Sequence, residues 1–434
     1  MDPTPSAKRT ATVGNPTRRR PRWRGRGSVT TAGRGGLPGR TVLDHATRVV
    51  STVVQQVWPG EVVSIGPQLP SVTNYVTAVT VREGWFVAKY SILGTSLLSI
   101  LRGACGPWDR VEAAQRDYVQ QPTAQLARER SQLRALAAHA RRTEGSLRVP
   151  AVIAYQDGVL ISTASSGSSL AGELVRGRIA PDRLLTDVIA IATALHRDQF
   201  LARELSGSPA LATPHTSITA TFARKFTGVE ASCYLDSLGA GWLGGSARTQ
   251  LATSFRALRE ILHPPLRRLP APVVIYGDLK PEHVLLDTCG RQTWIDPGLQ
   301  RGDPAAELAK LLSRVALLLI TSRPSLARMD AVGAAMDLLV TSFVARHPRP
   351  DGITALRRLL VLLLADWANY LASGLSVPPD VTLPLPPMLL EATGQAQSLL
   401  RLAGEAAASL TIDPARAWGT VLAGTLDLAT GQPG

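Results

Sequence analysis

The chain of 434 residues is short of several things, and each shortage excludes a class of protein. It has three cysteines, Cys105, Cys233 and Cys289. They make neither an even set nor a metal-ligand spacing, so the expectation is a reduced, cytoplasmic protein with ordinary thiols. Its longest apolar runs, "VALLLI" (315–320) and "LLVLLLA" (359–365), fall far short of the ~20 residues that cross a bilayer and read as faces of buried helices. No apolar stretch of secretory type stands in the N-terminal region. No internal repeat is visible. Lysine is scarce, five against 42 arginines. Arginine serves equally well for generic surface charge, so each lysine is a candidate for a specific task. Lys89 and Lys280 are two of the five.

What the chain does have is apolar content: 45% hydrophobic residues against 18% charged, enough for a large core. The net charge of +14 is unevenly spread. Residues 1–40 hold ten Lys/Arg and one acid, Asp2, and so supply +9, which leaves +5 for the rest. The remainder carries no nucleic-acid footprint. The basic stretch lacks apolar periodicity and is expected to be a disordered tail over 1–41, a solvated segment whose charge suits nucleic acid or anionic lipid.

Beyond the tail a short helix is expected from about Val42 to Gln56. "EVVSIG" (61–66), "NYVTAVTV" (74–81) and "WFVAKYSI" (85–92) are β-branched or aromatic runs with turn residues between them. A helical segment ends in "ERSQLRALAAHARR" (129–142), and "RVPAVIAYQ" and "GVLISTA" add two strands, so the expectation is a five-stranded antiparallel sheet interrupted by one helical segment. After the Ser/Gly-rich "SSGSS" (165–169) helical patterns dominate, broken only by "APVVIYGD", the hairpin "HVLLDTCGRQTWIDPG" (283–298) and a Pro-rich stretch at 377–387. A sheet-rich half followed by a helical half predicts an α+β fold of two lobes around a cleft.

The most informative stretch is "YGDLKPEHVLLD" (276–287). An acid follows glycine at the end of an apolar strand, and a hairpin returns to a second acid, Asp296, in "WIDPG". Phosphoryl transfer needs phosphates held, metal placed on them, and a carboxylate to receive the acceptor's proton, all from separate elements facing one cleft. Asp278 is the candidate base, and Asp296 is the candidate magnesium acid, since that hard ion prefers carboxylate oxygen. His283, five residues after Asp278, either ligates metal or hydrogen-bonds the loop backbone. Lys280 either contacts the transferred phosphate or bridges to an acid. Lys89, mid-strand, would aim its ammonium at phosphates if paired with Glu129; Glu112 is the rival partner. His196, in "TALHRDQ", reads as a structural helix residue, and Trp85 and Trp294 as core.

These motifs together resemble the aminoglycoside phosphotransferase family, the small-molecule branch of the protein-kinase-like fold, over about residues 60–320. The resemblance implies ATP (or GTP) and Mg2+ as cofactors. It implies Lys89 as the third-strand nucleotide lysine, Glu129 as its helix partner, Asp278 as base, His283 at the usual Asn position and Asp296 as the metal acid. "ISTAS" (161–165) is similar to the adenine hinge, which puts Thr163 and Ala164 there; "GDPAAELA" (302–309) is similar to the signature after the metal acid. The chain departs from the pattern in having Tyr276 where His precedes Gly-Asp, His283 for Asn, and no Gly-rich phosphate loop; Ser71 and Asn74 stand in that turn. The implied organisation is a nucleotide-binding lobe at 42–165 with a long insert at 90–125, and a helical lobe at 166–434 carrying the loop 276–298.

The acceptor is less determined. Only Leu299, Gln300 and Arg301 separate "DPG" from "GDP", which leaves no room for the segment on which protein kinases align a peptide. Stretch 201–262 resembles the helical insert that builds substrate pockets in antibiotic kinases. Residues 311–434 hold nine Arg, no Lys and nine acids, which makes no trap for a polycation. The expected acceptor is a hydroxylated small molecule, neutral or weakly charged. The alternatives are a Ser/Thr kinase for a biosynthetic precursor peptide and a nucleotide-binding pseudokinase scaffold. The apolar face of insert 90–125 either packs on its own lobe or docks a partner protein.

Overall fold

Helix α1 (Gly39–Val57) shows how the small lobe is built. Val42, Ala46, Val50, Val53 and Val54 recur at helical spacing, and all are buried against a sheet. That sheet holds β1 (Ser64–Gln68), β2 (Tyr75–Val81), β3 (Gly84–Tyr90), β5 (Val152–Gln156) and β6 (Val159–Thr163), in the order β1-β2-β3-β6-β5. Every neighbouring pair is antiparallel. Along β2, Tyr75, Thr77, Val79 and Val81 are buried and alternate with residues more open to solvent, the period of a half-buried strand. The computed structural model describes residues 39–431 except 104, 144–146, 215–217, 219–220, 223–225, 227–237, 239–244, 263–271, 349–350 and 378–382. The basic tail thus lies outside the described residues up to 38; the helix expected from Val42 begins at Gly39.

The expected α+β order, sheet first and helices after, is present. Three details differ from the sequence reading. Between β3 and β5 lie three helices, not one helical segment: α2 (Leu97–Leu101), α3 (Trp108–Val119) and α4 (Gln125–Arg142). The run "RVPAVIAYQ" is split. Leu147–Arg148 forms β4, which pairs parallel with a strand of the other lobe, and β5 starts after Pro150, which has no N–H to continue a ladder. Trp85 is 55% exposed at the start of β3, so it is not core; Trp294 is fully buried.

The insert after β3 is absorbed by its own lobe. Leu97, Ile100, Leu101 and Val111 belong to the core that α1 and the sheet share. Gln115 of α3 accepts from Leu93 N (2.7 Å) and donates to Ser91 O (2.8 Å), which stitches the loop after β3 to the helix. Arg102 donates to Ser376 O (2.7 Å) and Ser373 O (3.1 Å), tying the insert to the large lobe. The apolar face that sequence left open is therefore a packing face.

The large lobe starts with β7 (Ser168–Ser169) and α5 (Leu170–Arg176), followed by α6 (Pro181–Arg197), α7 (Gln199–Gly207) and α8 (Gly245–Leu262). Then come β8 (Val273–Ile275), a 3-10 turn (Pro281–His283), β9 (Val284–Leu286), β10 (Gln292–Trp294) and β11 (Gln300–Gly302). The lobe closes with α9 (Pro304–Ser322), α10 (Leu326–Ala345), α11 (Asp351–Leu375), α12 (Pro387–Gly394), α13 (Ala396–Leu410) and α14 (Pro414–Thr430). Asp303 caps α9 by accepting from Ala305 N (3.0 Å), with Pro304 in the first turn. Helices α9 and α11 carry the two apolar runs and are buried almost all round. A Leu→Ala change in either would cost about 2–5 kcal/mol. The site stands on α9, which makes it a rigid floor.

Candidate active site

Strand β3 sets Lys89 opposite Val76 on one side and Leu160 on the other, in the middle of the sheet. Helix α4 lays Leu133 and Leu136 into the interior, and Glu129 falls on the same face one turn earlier. Lys89 Nζ meets Glu129 Oε1 at 2.6 Å, with both side chains 9% exposed. The same ammonium donates to Asp296 Oδ1. Rival Glu112 instead reaches His45 Nδ1 at 3.3 Å. Burial disfavours the charged ammonium, but the Asp296 and Glu129 carboxylates outweigh it and lift the Lys89 pKa above its usual range. Burial pushes Asp296 up, yet Lys89 and His283 hold its carboxyl below the usual range.

Asp278 follows a turn that only glycine permits. Gly277 has φ 84°, and a Cβ there would stand 2.1 Å from Gly298 O. Gly298 N donates to Tyr276 O (2.9 Å) and the Tyr276 hydroxyl donates to Ile295 O (2.7 Å), which binds the loop to the returning hairpin. The Tyr276 ring meets Trp294 edge-on at 5.0 Å. From below, Glu307 of α9 accepts from Gly277 N (3.1 Å) and holds His196 Nε2 at 2.7 Å. His196 is structural, as its helix context suggested, and it steadies the loop through Glu307.

Two lysines grip Asp278. Lys280 Nζ lies 2.8 Å from Oδ2, and Lys310 Nζ of α9 lies 2.5 Å from Oδ1. Burial would raise this carboxyl, but Lys280, Lys310 and His283 together hold it well below the carboxylate range. Lys280 therefore bridges to an acid, one of its two sequence readings. Lys310 was missed, and the scarcity of lysine was the signal that could have found it. Glu307 was missed too, although it lies inside the quoted "GDPAAELA".

His283 makes the contact to the loop backbone that was one of its two sequence readings. Nδ1 lies 3.1 Å from Asp278 O, where its N–H donates, and Nε2 faces Asp296 Oδ2 at 3.8 Å. Burial and the Lys280 charge lower its pKa, so the ring is neutral and Nε2 keeps its lone pair. Asp296 is held at φ 58°, in the left-handed region, with a side chain 38% exposed. Among the described residues no group of three or more His, Cys, Asp and Glu gathers as a metal cage. Of the two donors the Asp296 carboxylate suits magnesium, which completes its shell with phosphate oxygens and water, while the neutral imidazole of His283 is a poorer ligand for so hard an ion.

The expected nucleotide contacts are more dispersed. Ser71 Oγ accepts from Thr73 N (3.3 Å) and Asn74 N (3.2 Å), shaping the β1–β2 turn. That turn is held by Leu97 N to Thr73 O (3.0 Å) and by Ser71 N to Pro384 O (3.3 Å). Asn74 is buried, and its Oδ1 lacks a hydrogen-bond partner. At the hinge, Thr163 exchanges hydrogen bonds with Ala151 through its N–H and Oγ1, both 2.9 Å, and Ala164 N donates to Trp85 O (3.4 Å). Much of the wall expected from 201–262 lies outside the described residues.

The model of a family described as "Phosphotransferase enzyme family" matches residues 108–338. Among solved structures the chain is similar to a thermostable mutant of an aminoglycoside phosphotransferase in ternary complex with AMP-PNP and hygromycin B (15% identity, 82% of this chain and 98% of that chain, TM-score 0.44). It is similar to an amicoumacin kinase in complex with AMP-PNP, Ca2+ and Ami (12%, 84% and 96%, TM-score 0.47). It is also similar to a Plasmodium vivax ethanolamine kinase (9%, 82% and 88%, TM-score 0.42). No curated protein matches. No described helix is long and apolar enough to cross a membrane.

Proposed function

The chain belongs to the phosphotransferase enzyme family, and from that premise we propose that it moves the terminal phosphoryl group of ATP to a hydroxyl of a small molecule. The supporting observation is the convergence of Lys89, Glu129, Asp296 and Asp278 from β3, α4, the hairpin and the loop after β8 onto one cleft. Asp296 and His283 would hold Mg2+, which when bound offsets the phosphate charge. Lys89, kept protonated by its acids, aims at the nucleotide phosphates. Asp278 holds the acceptor hydroxyl in line and takes its proton as the oxygen bonds to phosphorus and the bond to the nucleotide diphosphate breaks. GTP in place of ATP is compatible with the same parts.

The small-molecule reading rests on the short segment after the metal turn. Gln300–Gly302 is used up as β11, paired antiparallel with β8, and Leu299 is buried. No platform for an extended peptide remains there. One observation favours the scaffold alternative, namely that both oxygens of Asp278 are engaged by lysines. A phosphate-transfer screen over hydroxyl-bearing antibiotics and metabolites separates these readings. At least one compound should consume nucleotide stoichiometrically with magnesium. Labelling of Ser/Thr peptides alone would install the peptide reading, and magnesium-dependent binding without any turnover would install the scaffold.

A further inference from the structure

Asp278 carries one negative charge between two ammonium groups, and one is enough to pair it. A hydroxyl can still reach this carboxylate with both lysines in place, because each oxygen has two lone pairs and the side chain is 28% exposed. Lys280 belongs to the loop itself, two residues on. Lys310 comes from the floor, on a long flexible stem whose side chain is 19% exposed. It therefore stands beside any hydroxyl that Asp278 holds.

Because Lys280 also pairs Asp278, Lys310 shares its one anion and can take a second, and a mostly buried cation gains from fuller pairing. Two protein acids lie nearby. Asp366 of α11 accepts from Ser313 Oγ (2.5 Å) and faces Arg314 Nε at 3.2 Å. Glu282, at the loop's 3-10 turn, acts on Lys280 and Arg314 as a background charge. Arg314 stands one helical turn beyond Lys310 on the same face of α9. Its guanidinium lies 3.8 Å over the Tyr370 ring, its side chain is 7% exposed, and its Nη1 is buried without a hydrogen-bond partner. A stacked, pre-oriented guanidinium one helical turn from an ammonium is the chemistry of carboxylate and phosphate recognition.

We propose that Lys310 and Arg314 form an anion subsite on the acceptor side of Asp278, reading a carboxylate or phosphate that the acceptor carries close to its reacting hydroxyl. This rests on the phosphotransferase reading above and names its substrate class, a hydroxy acid or a sugar phosphate. It revises the neutral acceptor expected from sequence. Lys310 then bridges Asp278 and the acceptor's anion, which sets the neighbouring hydroxyl against the base. The terminal phosphate of the nucleotide is the other possible source of negative charge for Lys310, and the experiment separates the two.

The nucleotide half is first saturated with AMP-PNP and Mg2+. Thermal shift is then measured with gluconate, 3-phosphoglycerate and inorganic phosphate, and with sorbitol as the neutral control. The anions should raise Tm and sorbitol should not. Lys310→Met should abolish the anion shift, and Lys310→Arg should keep it. In the transfer arm, hydroxy acids are paired with their methyl esters. The acid should be preferred by about tenfold or more, as expected for a charge-assisted hydrogen bond. That ratio should fall toward one in Lys310→Met through the acceptor KM. Equal use of acids and esters by the unaltered protein would overturn the subsite while leaving the phosphotransferase reading intact. So would a Lys310→Met effect confined to the nucleotide KM. A Lys310-dependent anion shift with no transfer to any compound would support the subsite and remove the phosphotransferase reading.

Discussion

The two halves of the cleft are built on opposite charge arithmetic. In the nucleotide half one lysine, Lys89, is shared by two carboxylates, Glu129 and Asp296, so the half is left with excess negative charge. Around the proposed acceptor side one carboxylate, Asp278, is shared by two lysines, Lys280 and Lys310, so this trio is positive, with the Glu282 carboxylate acting on Lys280 from further off. Buried charge that is not balanced internally is unfavourable until a ligand balances it. The sign of each trio supports the two proposals, a cation where Asp296 and His283 meet and an anion above α9.

The largest effect expected from breaking this comparison is at Asp296. Asp296→Ala should abolish magnesium-dependent nucleotide binding, since no other hairpin carboxylate faces His283; titration calorimetry with and without magnesium measures it, and retained magnesium dependence would refute the assignment. Next is Asp278→Asn, which should leave nucleotide affinity nearly intact and lower turnover by about two to four decades, the range for general-base loss. Unchanged turnover would sink the role. His283→Asn supplies an amide oxygen for the imidazole nitrogen and should preserve or raise activity if position 283 holds metal; a large loss would make the imidazole's bond to Asp278 O its main task.

Smaller effects concern the support. Glu307→Gln disturbs the acceptor for Gly277 N and the pair with His196, and should cost about 1–3 kcal/mol of stability with kcat falling more than nucleotide KM rises. A calorimetric Tm equal to that of the unaltered protein would show that the loop does not depend on α9. The smallest is a pH effect. Asp278 and Asp296 have folded pKa values below their unfolded ones, and His283 likewise. Their contribution to stability is complete above the unfolded values. It should be lost as pH falls, first through about 6.5 for His283 and then through about 4 for the carboxylates. A Tm that holds flat from neutral pH down to about 4 would contradict the His283 shift.

Much of this site was legible because its chemistry sits in short contiguous motifs. Gly277 and Asp278 are adjacent, His283 is five residues on, and the hairpin returning Asp296 is a local structure whose register follows from strand alternation. Lys89 and Glu129 were readable as a strand residue and a helix residue, though the choice of Glu129 over Glu112 needed the packing of α4. The insert at 90–125 was ambiguous for the same reason. An apolar helix face looks alike in sequence whether it meets its own sheet or a partner. Trp85 shows the converse error, since aromatic character alone does not say on which side of a strand's end the ring will lie.

Sequence by itself determined the lobe order, the loop with its acids and the three-residue spacing between "DPG" and "GDP", because each is written in local spacing and local periodicity. Tertiary structure alone decided the charge of the acceptor half. Lys310 lies 32 residues from Asp278 along the chain, and a charge count that starts at 311 leaves it out. Only the seating of α9 beneath the loop brings its ammonium to 2.5 Å from the carboxylate. Electrostatic interaction depends on distance in space and on burial, and neither quantity is carried by the order of residues.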